Sequence, residues 1–278
     1  MRLLAFALLS FWACGCAPAL STFQPAHVAD KGHVQAELGL DVSVPTGAIA
    51  SVVDAGVVLA NIAESRELTE GERLTLFEAG GALALNPPSV TPHIGVGYTA
   101  LDRWELNLRY TGSALRLGTR YQLLKRDKHG VDLTAGAGVG RYVIDLPIGS
   151  ILGLVELEDF TRWQIDLPIQ IGTAGTWYRV WGGPRLMFTT FDTALVVDLP
   201  AFTGYPGERE LASFSGTGLY VGGQAGVALG YKHVFLGFEL TLAEIFSSGE
   251  LAVLGERAVA VDLDSFIIYP SIGLMLEF

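Results

Sequence analysis

"HIGVGYTALDRWELNLRY", His93 to Tyr110, carries the pattern on which the fold rests. Ile94, Val96 and Tyr98 alternate with Gly95 and Gly97. After the tight turn "ALDR", Trp104, Leu106, Leu108 and Tyr110 alternate with Glu105, Asn107 and Arg109. Successive side chains of a strand point to opposite faces. The stretch therefore predicts two antiparallel strands, each with one apolar and one polar face.

The same alternation extends both ways. Upstream, "HVQAELGLDVSV" (His33–Val44) puts Val34, Ala36, Leu38, Leu40, Val42 and Val44 on one face, and Pro45 ends it. Downstream, Leu115, Leu117 and Tyr121 oppose Arg116, Gly118, Arg120 and Gln122. Past the polar turn "KRDKHG", Val131 to Val139 alternate with Asp132 to Gly140. Trp163, Ile165, Leu167, Ile169 and Ile171 oppose Gln164, Asp166 and Gln170, and Tyr178, Val180, Leu186 and Phe188 oppose Trp177, Arg179, Trp181 and Arg185. Leu219 to Tyr231, Val234 to Leu242 and the closing "SIGLMLEF" (Ser271–Phe278) complete the set. The pattern predicts about ten strands in one domain. Short turns alternate with longer connections, expected at 147–161, 191–215 and 247–264.

One segment departs from period two. From Ile49 to Ala63 the apolar residues fall at helical spacing, "TEGE" (Thr69–Glu72) fits a capping box, and Pro87-Pro88 terminates the run. This predicts a helical insert of two short helices at about 48–86; a β-branched hairpin is the other reading.

The chain has 278 residues, of which 50% are hydrophobic and 17% charged, with 34 glycines and a formal charge of −11. Such an acidic chain repels phosphate backbones and makes nucleic acid a poor partner. Beyond the leader no apolar run is long enough for a transmembrane helix. At the N-terminus, Arg2 precedes the apolar stretch Leu3–Trp12 and the small residues "ACGCAPA", the layout of a signal peptide at 1–16. Gly15-Cys16 resembles the lipobox of bacterial lipoproteins, which implies lipidation at Cys16; ordinary cleavage nearby is the alternative. Residues 17–32 read as a polar lead-in, and 33–278 as the barrel. No cysteine follows Cys16, which excludes internal disulfides and Cys-based metal sites.

A soluble barrel points its apolar face inward, and a transmembrane barrel points it at lipid. Segments of 10–14 residues suit the membrane, where a tilted strand needs about 9–11. Glycines at 95, 97, 136, 138, 140, 222, 226 and 230 lie on the polar face, where they make room beside bulky arginines and tryptophans. Tyr98, Trp104, Tyr121, Tyr178, Tyr231 and Phe278 all fall near short turns on the apolar face, as a membrane-interface girdle would.

On these residues the chain resembles a bacterial outer-membrane β-barrel protein. Ser271, Gly273, Leu276 and Phe278 fit the C-terminal assembly signal of such proteins. The resemblance implies a Gram-negative outer-membrane location, contact with outer-membrane lipid, and recognition by the barrel-assembly machinery. The short-turn rim is then periplasmic.

Chemistry is sparse. "GAGVG" (Gly136–Gly140) lies within a strand with no helix after it and so is not a nucleotide loop. The histidines at 27, 33, 93, 129 and 233 lack metal-ligand spacing; His33 and His93 are expected at the lumen near strand ends. Asp262 and Asp264 are the one tempting carboxylate pair, and a histidine beside them would point to an outer-rim hydrolase. No catalytic residue, metal or cofactor is assigned, and any small-molecule ligand is unknown. The inward charges say more. Glu105, Asp132, Asp166 and Glu239 share a face with Arg109, Arg116, Arg120, Arg179 and Arg185. Confined charges are tolerable only when paired. They predict a salt-bridged, largely plugged lumen with a structural or surface-interaction role. The alternative is a narrow channel for small solutes or lipidic ligands.

Overall fold

The computed structural model describes residues 18–62, 69–112, 114–142, 155–199, 208–253 and 259–278. Lipidation at Cys16 and the signal peptide lie outside them. In chain order the elements are β1 (Val34–Pro45), α1 (Thr46–Ile62), α2 (Glu70–Leu85), β2 (Ser89–Leu101), β3 (Trp104–Thr111), β4 (Ala114–Leu124), α3 (Arg126–His129), β5 (Asp132–Tyr142), β6 (Val155–Asp166), β7 (Ile169–Ala174), β8 (Tyr178–Leu199), β9 (Glu208–Tyr231), β10 (Val234–Val253), β11 (Val259–Val261) and β12 (Ser265–Glu277). Among the described residues no helix is long and apolar enough to cross a membrane.

The strands form one antiparallel sheet that closes on itself. β6 and β7 share one wall position, both pairing with β5 and β8, and β11 is a short arm on β10. Ten wall positions result. Pro168 causes the β6/β7 break because it has no N–H to give the ladder. The wall is bridged there by Leu167 N to Leu186 O and Gly136 N to Pro168 O, each 2.9 Å. Closure joins β1 to β12, with Leu38 opposite Leu274 and Gly39 opposite Gly273. Val34 and Phe278 exchange backbone hydrogen bonds of 2.8 and 2.9 Å at the end of that seam. Among the described residues no wall edge remains to recruit another chain.

The faces have the inverse polarity of a soluble protein. Leu38 and Leu229 point outward at 55% and 65% exposure, while Glu105 and Arg185 point inward at 0%. On β10 the outward series Val234, Leu236, Phe238, Leu240, Leu242 is apolar, and Glu244 follows. At about 3.4 Å per residue the apolar series runs about 27 Å along the strand. Tilted by about 40°, it spans about 21 Å, slightly less than the roughly 25 Å apolar band of membrane barrels.

Above Glu244 the polarity reverses, with Phe246 the exception, still pointing outward at 47% exposure. β8, β9 and β10 continue to 22, 24 and 20 residues. Here Phe191, Ala212, Phe214, Ile245 and Leu251 point inward and are buried. Asp192, Ser213, Glu244 and Glu250 point outward and are exposed. The connections expected at 191–215 and 247–264 are therefore largely strand, and β6 likewise begins at Val155, inside the loop expected at 147–161. The physical reason is a phase reversal: the apolar set moves from even to odd positions along β8 and β10, and a single-phase reading loses the strand at that point.

The helical insert is present. Thr69 and Glu72 form the capping box, the Thr69 amide donating to the Glu72 carboxylate at 3.0 Å and the Glu72 amide to Thr69 Oγ1 at 3.4 Å. α2 buries Leu76, Phe77, Ala79 and Leu85 in one cluster with Phe214, Tyr220, Ile245, Ile267 and Tyr269. This cluster fills the end of the barrel remote from the short turns. At the short-turn end, "KRDKHG" is one helical turn, α3, closed by Gly130 in the left-handed conformation at φ +79°.

The lead-in, 17–32, reads in sequence as a polar stretch ahead of the first strand. Pro18 to Phe23, Pro25, Ala26 and Val28 are buried inside the barrel, and the chain emerges at Asp30–Gly32. A short, weakly apolar segment without periodicity reads as a linker, because its bonding partners are remote in sequence.

Candidate luminal site

Below the apolar cluster the barrel interior is polar. Its wall is built from inward positions of strands all round the barrel, which the period of two places on one side. Arg109 on β3 meets Glu37 and Asp41 on β1 at 3.3 and 3.1 Å. Asp166 on β6 takes Arg116 from β4 at 2.6 Å and Arg185 from β8 at 2.9 Å. Glu105 takes Arg120 through two bonds of 2.7 and 2.8 Å. Arg179 pairs with Glu277 at 2.5 Å near the short-turn mouth. These groups are buried or nearly so, and each charge has an opposite partner, as a low-dielectric site requires. The wall glycines give the room predicted for them. A Cβ at Gly97 would stand 2.6 Å from Glu105 Oε1, and one at Gly226 would collide with the Trp181 ring.

The expected luminal charges all face inward, but two do other work. Asp132 meets no cation side chain among the described contacts. It accepts from Gln122 Nε2 at 2.8 Å and from the Arg126 amide at 2.9 Å, fixing the α3 turn. Glu239 meets no arginine either. Its oxygens accept from the Thr22 and Phe23 amides at 3.0 and 3.1 Å and from Trp181 Nε1 at 2.7 Å.

The lead-in is the other half of this site. Arg185 donates to the carbonyls of Leu20 (2.8 Å) and Ala19 (3.4 Å). Arg109 donates to Ser21 O at 2.7 Å, Gln170 to Gln24 O at 2.8 Å, and Arg120 to Pro25 O at 2.5 Å. Val28 N donates to Gln122 Oε1 at 3.4 Å. Phe23 seats between His93 and Trp181, with ring centroids 5.2 and 6.4 Å away. It is held at φ +45°, a costly conformation for a side chain of its size.

Sequence reasoning missed Arg162, which is fully buried. It donates to Leu85 O (2.5 Å), Tyr220 OH (2.7 Å) and Thr189 Oγ1 (2.9 Å), tying the end of α2 to the wall. Its parity with Gln164 and Asp166 was the available signal. His93 faces the lumen and meets Asp41 at 2.9 Å, whereas His33 is exposed at the mouth. No described histidine pairs with Asp262 or Asp264; Asp264 accepts the Ser247 amide at 2.9 Å. Among the described residues no cluster of three or more His, Cys, Asp or Glu is placed to hold a metal ion.

At the rim, Tyr98, Trp104, Tyr121, Tyr178, Tyr231 and Phe278 are exposed on the outer surface. Trp177, assigned by parity to the lumen, is 63% exposed and packs on Tyr231 at 4.5 Å instead. It lies in the turn before β8, where strand parity does not apply. In a neighbouring short turn the hydrogen bond from Lys125, 3.0 Å long, holds Asp102 below the ordinary carboxylate range. Ser271, Gly273 and Leu276 lie on β12, and Phe278 directly follows it.

No family model matches the chain, and no curated protein matches it. Two solved structures are similar in outline. The outer membrane protease OmpT from Escherichia coli is 9% identical with a TM-score of 0.35, covering 93% of this chain and 100% of its own. The CymD monoaromatic hydrocarbon channel is 10% identical with a TM-score of 0.26, covering 95% of this chain and 94% of its own.

Proposed function

We propose that this protein is a non-enzymatic β-barrel of a Gram-negative outer membrane, closed to solutes by its own lead-in, with a structural or surface-interaction role. The reversal of polarity along β8–β10 supports the membrane setting. Outward side chains are apolar through one belt and, apart from Phe246, polar above it on β10, as they would be where the medium outside changes from lipid to water. The buried segment Pro18–Val28 carries the closed role, since it fills the polar lumen while the helical insert fills the far end. On this reading the tall strands and the helices form the surface-facing part. The assembly machinery recognises Ser271, Gly273, Leu276 and Phe278, and the aromatic rim sits at the periplasmic interface.

Purified protein in a planar lipid bilayer is expected to pass no ion current. A steady single-channel current from the intact chain overturns the closed reading. The membrane setting is checked separately: unheated samples should migrate differently from boiled ones on a detergent gel, and solubility without detergent sinks it.

A second reading, a narrow channel, has one observation in its favour. The lead-in is held by side chains rather than by ladder pairing, so it can leave without opening the sheet. Under that reading Glu239→Gln produces current where the parent produces none.

A further inference from the structure

We propose that the polar lumen is a binding channel for an extended, uncharged polypeptide segment, of which Pro18–Val28 is the resident, exchangeable occupant. The inference rests on the closed-barrel reading above and names what the closed lumen recognises.

The first argument is how the occupant is held. Carbonyls of Ala19, Leu20, Ser21, Gln24 and Pro25 and amides of Thr22, Phe23 and Val28 all bond to wall side chains. The donors and acceptors are Arg109, Arg120, Gln122, Gln170, Arg185 and Glu239. Buried backbone groups must find partners. Segments usually meet that need by joining a sheet or helix, but here the wall meets it with side chains. Groups that every peptide carries supply most of the contact.

The second argument is charge. Arg109, Arg120 and Arg185 are each already paired with a wall carboxylate. These arginines are thus compensated within the wall, and Glu239 is met by the occupant's amides rather than by a charge; the occupant's one titratable side chain, His27, meets Glu277 at 3.1 Å near the mouth. An ionic solute entering the site would upset paired groups at considerable cost. A neutral peptide's carbonyls and amides match the spare donor capacity of the arginines and the Glu239 oxygens.

The third argument is shape. Leu20, Phe23 and Ala26 provide apolar contacts at every third residue, and the wall leaves room for two of them. A Cβ at Gly237 would lie 2.9 Å from the Phe23 ring, and one at Gly172 would lie 3.0 Å from Ala26 Cβ. Phe23, between His93 and Trp181, is the anchor that sets register. Its strained backbone is held by the Glu239 carboxylate, which bonds two consecutive amides. The mouth at the short-turn end widens to a cavity of about 390 Å³ lined by His27, Asp30, His33, Arg179 and Glu277, where the chain leaves.

The test uses the full chain with a protease site introduced at the exposed Asp30–Gly32. After folding, cleavage leaves the lead-in held only by non-covalent contacts. A fluorescent peptide with the sequence of residues 18–29 is then added in excess. Saturable uptake into the cleaved barrel is expected, with none into the uncut barrel. At least tenfold weaker uptake is expected for the peptide carrying Phe23→Ala. Glu239→Gln in the wall should speed release of the severed segment. Two outcomes overturn the proposal. One is a severed segment that stays bound against a thousandfold excess of peptide, in the parent and in Glu239→Gln alike. The other is a barrel that loses the segment, as seen by mass, and takes up no peptide. Current through the uncut protein would instead sink the closed-barrel reading, so the two failures are distinct.

Discussion

The belt and the tall extension are continuous strands of one barrel, yet they are wired oppositely. In the belt, Leu236, Phe238 and Leu242 look out while Glu239 and Thr241 look in. A few residues further along the same strand, Glu244 and Glu250 look out while Ile245 and Leu251 look in. A strand has no intrinsic preference for either arrangement, because its period is two in both cases. On the membrane reading proposed above, what differs is the medium on the outside. The contents differ accordingly. The belt encloses ion pairs and a threaded peptide held by directional bonds, and the extension encloses a helix-capped apolar cluster held by burial.

The comparison breaks first at its ion pairs. Asp166→Ala strands Arg116 and Arg185 together in a dry interior, and losing one partner of a buried pair costs about 3–5 kcal/mol. We expect the upper end of that range in denaturant unfolding from lipid. In the extension, Phe214→Ala removes a buried ring from the apolar cluster, at about 3–4 kcal/mol. The same unfolding assay measures it, and a loss below about 1 kcal/mol would mean the extension contributes little to the fold. The outer surface discriminates next. Phe238→Arg, in mid-belt, should cost about 3 kcal/mol in lipid, whereas Ser213→Arg above the belt should change stability by about 0.5 kcal/mol or less. Equal effects at the two sites would remove the basis for a lipid boundary. Among the losses expected, the smallest comes from Glu239→Gln, about 2 kcal/mol for weakened charge-assisted bonds. It should appear as faster hydrogen exchange at the Thr22 and Phe23 amides, with the wall strands unchanged.

Much of the wall is legible in the sequence. Alternation located the belt strands, the capping box at Thr69 and Glu72 located α2, and parity sent Arg109, Arg116, Arg120 and Arg185 into the lumen. Parity failed where its premise failed. Trp177 sits in a turn, and Phe191 and Ile245 follow a phase reversal that looks like the end of a strand. Arg162 was lost with the strand start that was misplaced beside it. The role of Glu239 was not legible because its partners, Thr22 and Phe23, lie more than 200 residues away and belong to a segment with no pattern of its own.

The sequence by itself determined that this chain makes a long-stranded barrel, because the period of two is a property of each strand's covalent geometry and needs no distant partner. Only the tertiary structure decided what fills it. The lead-in enters the lumen because the wall, once closed, presents carboxylate, amide and guanidinium groups around a space that a peptide backbone can satisfy. That complementarity exists only after ten wall positions have been brought around one axis.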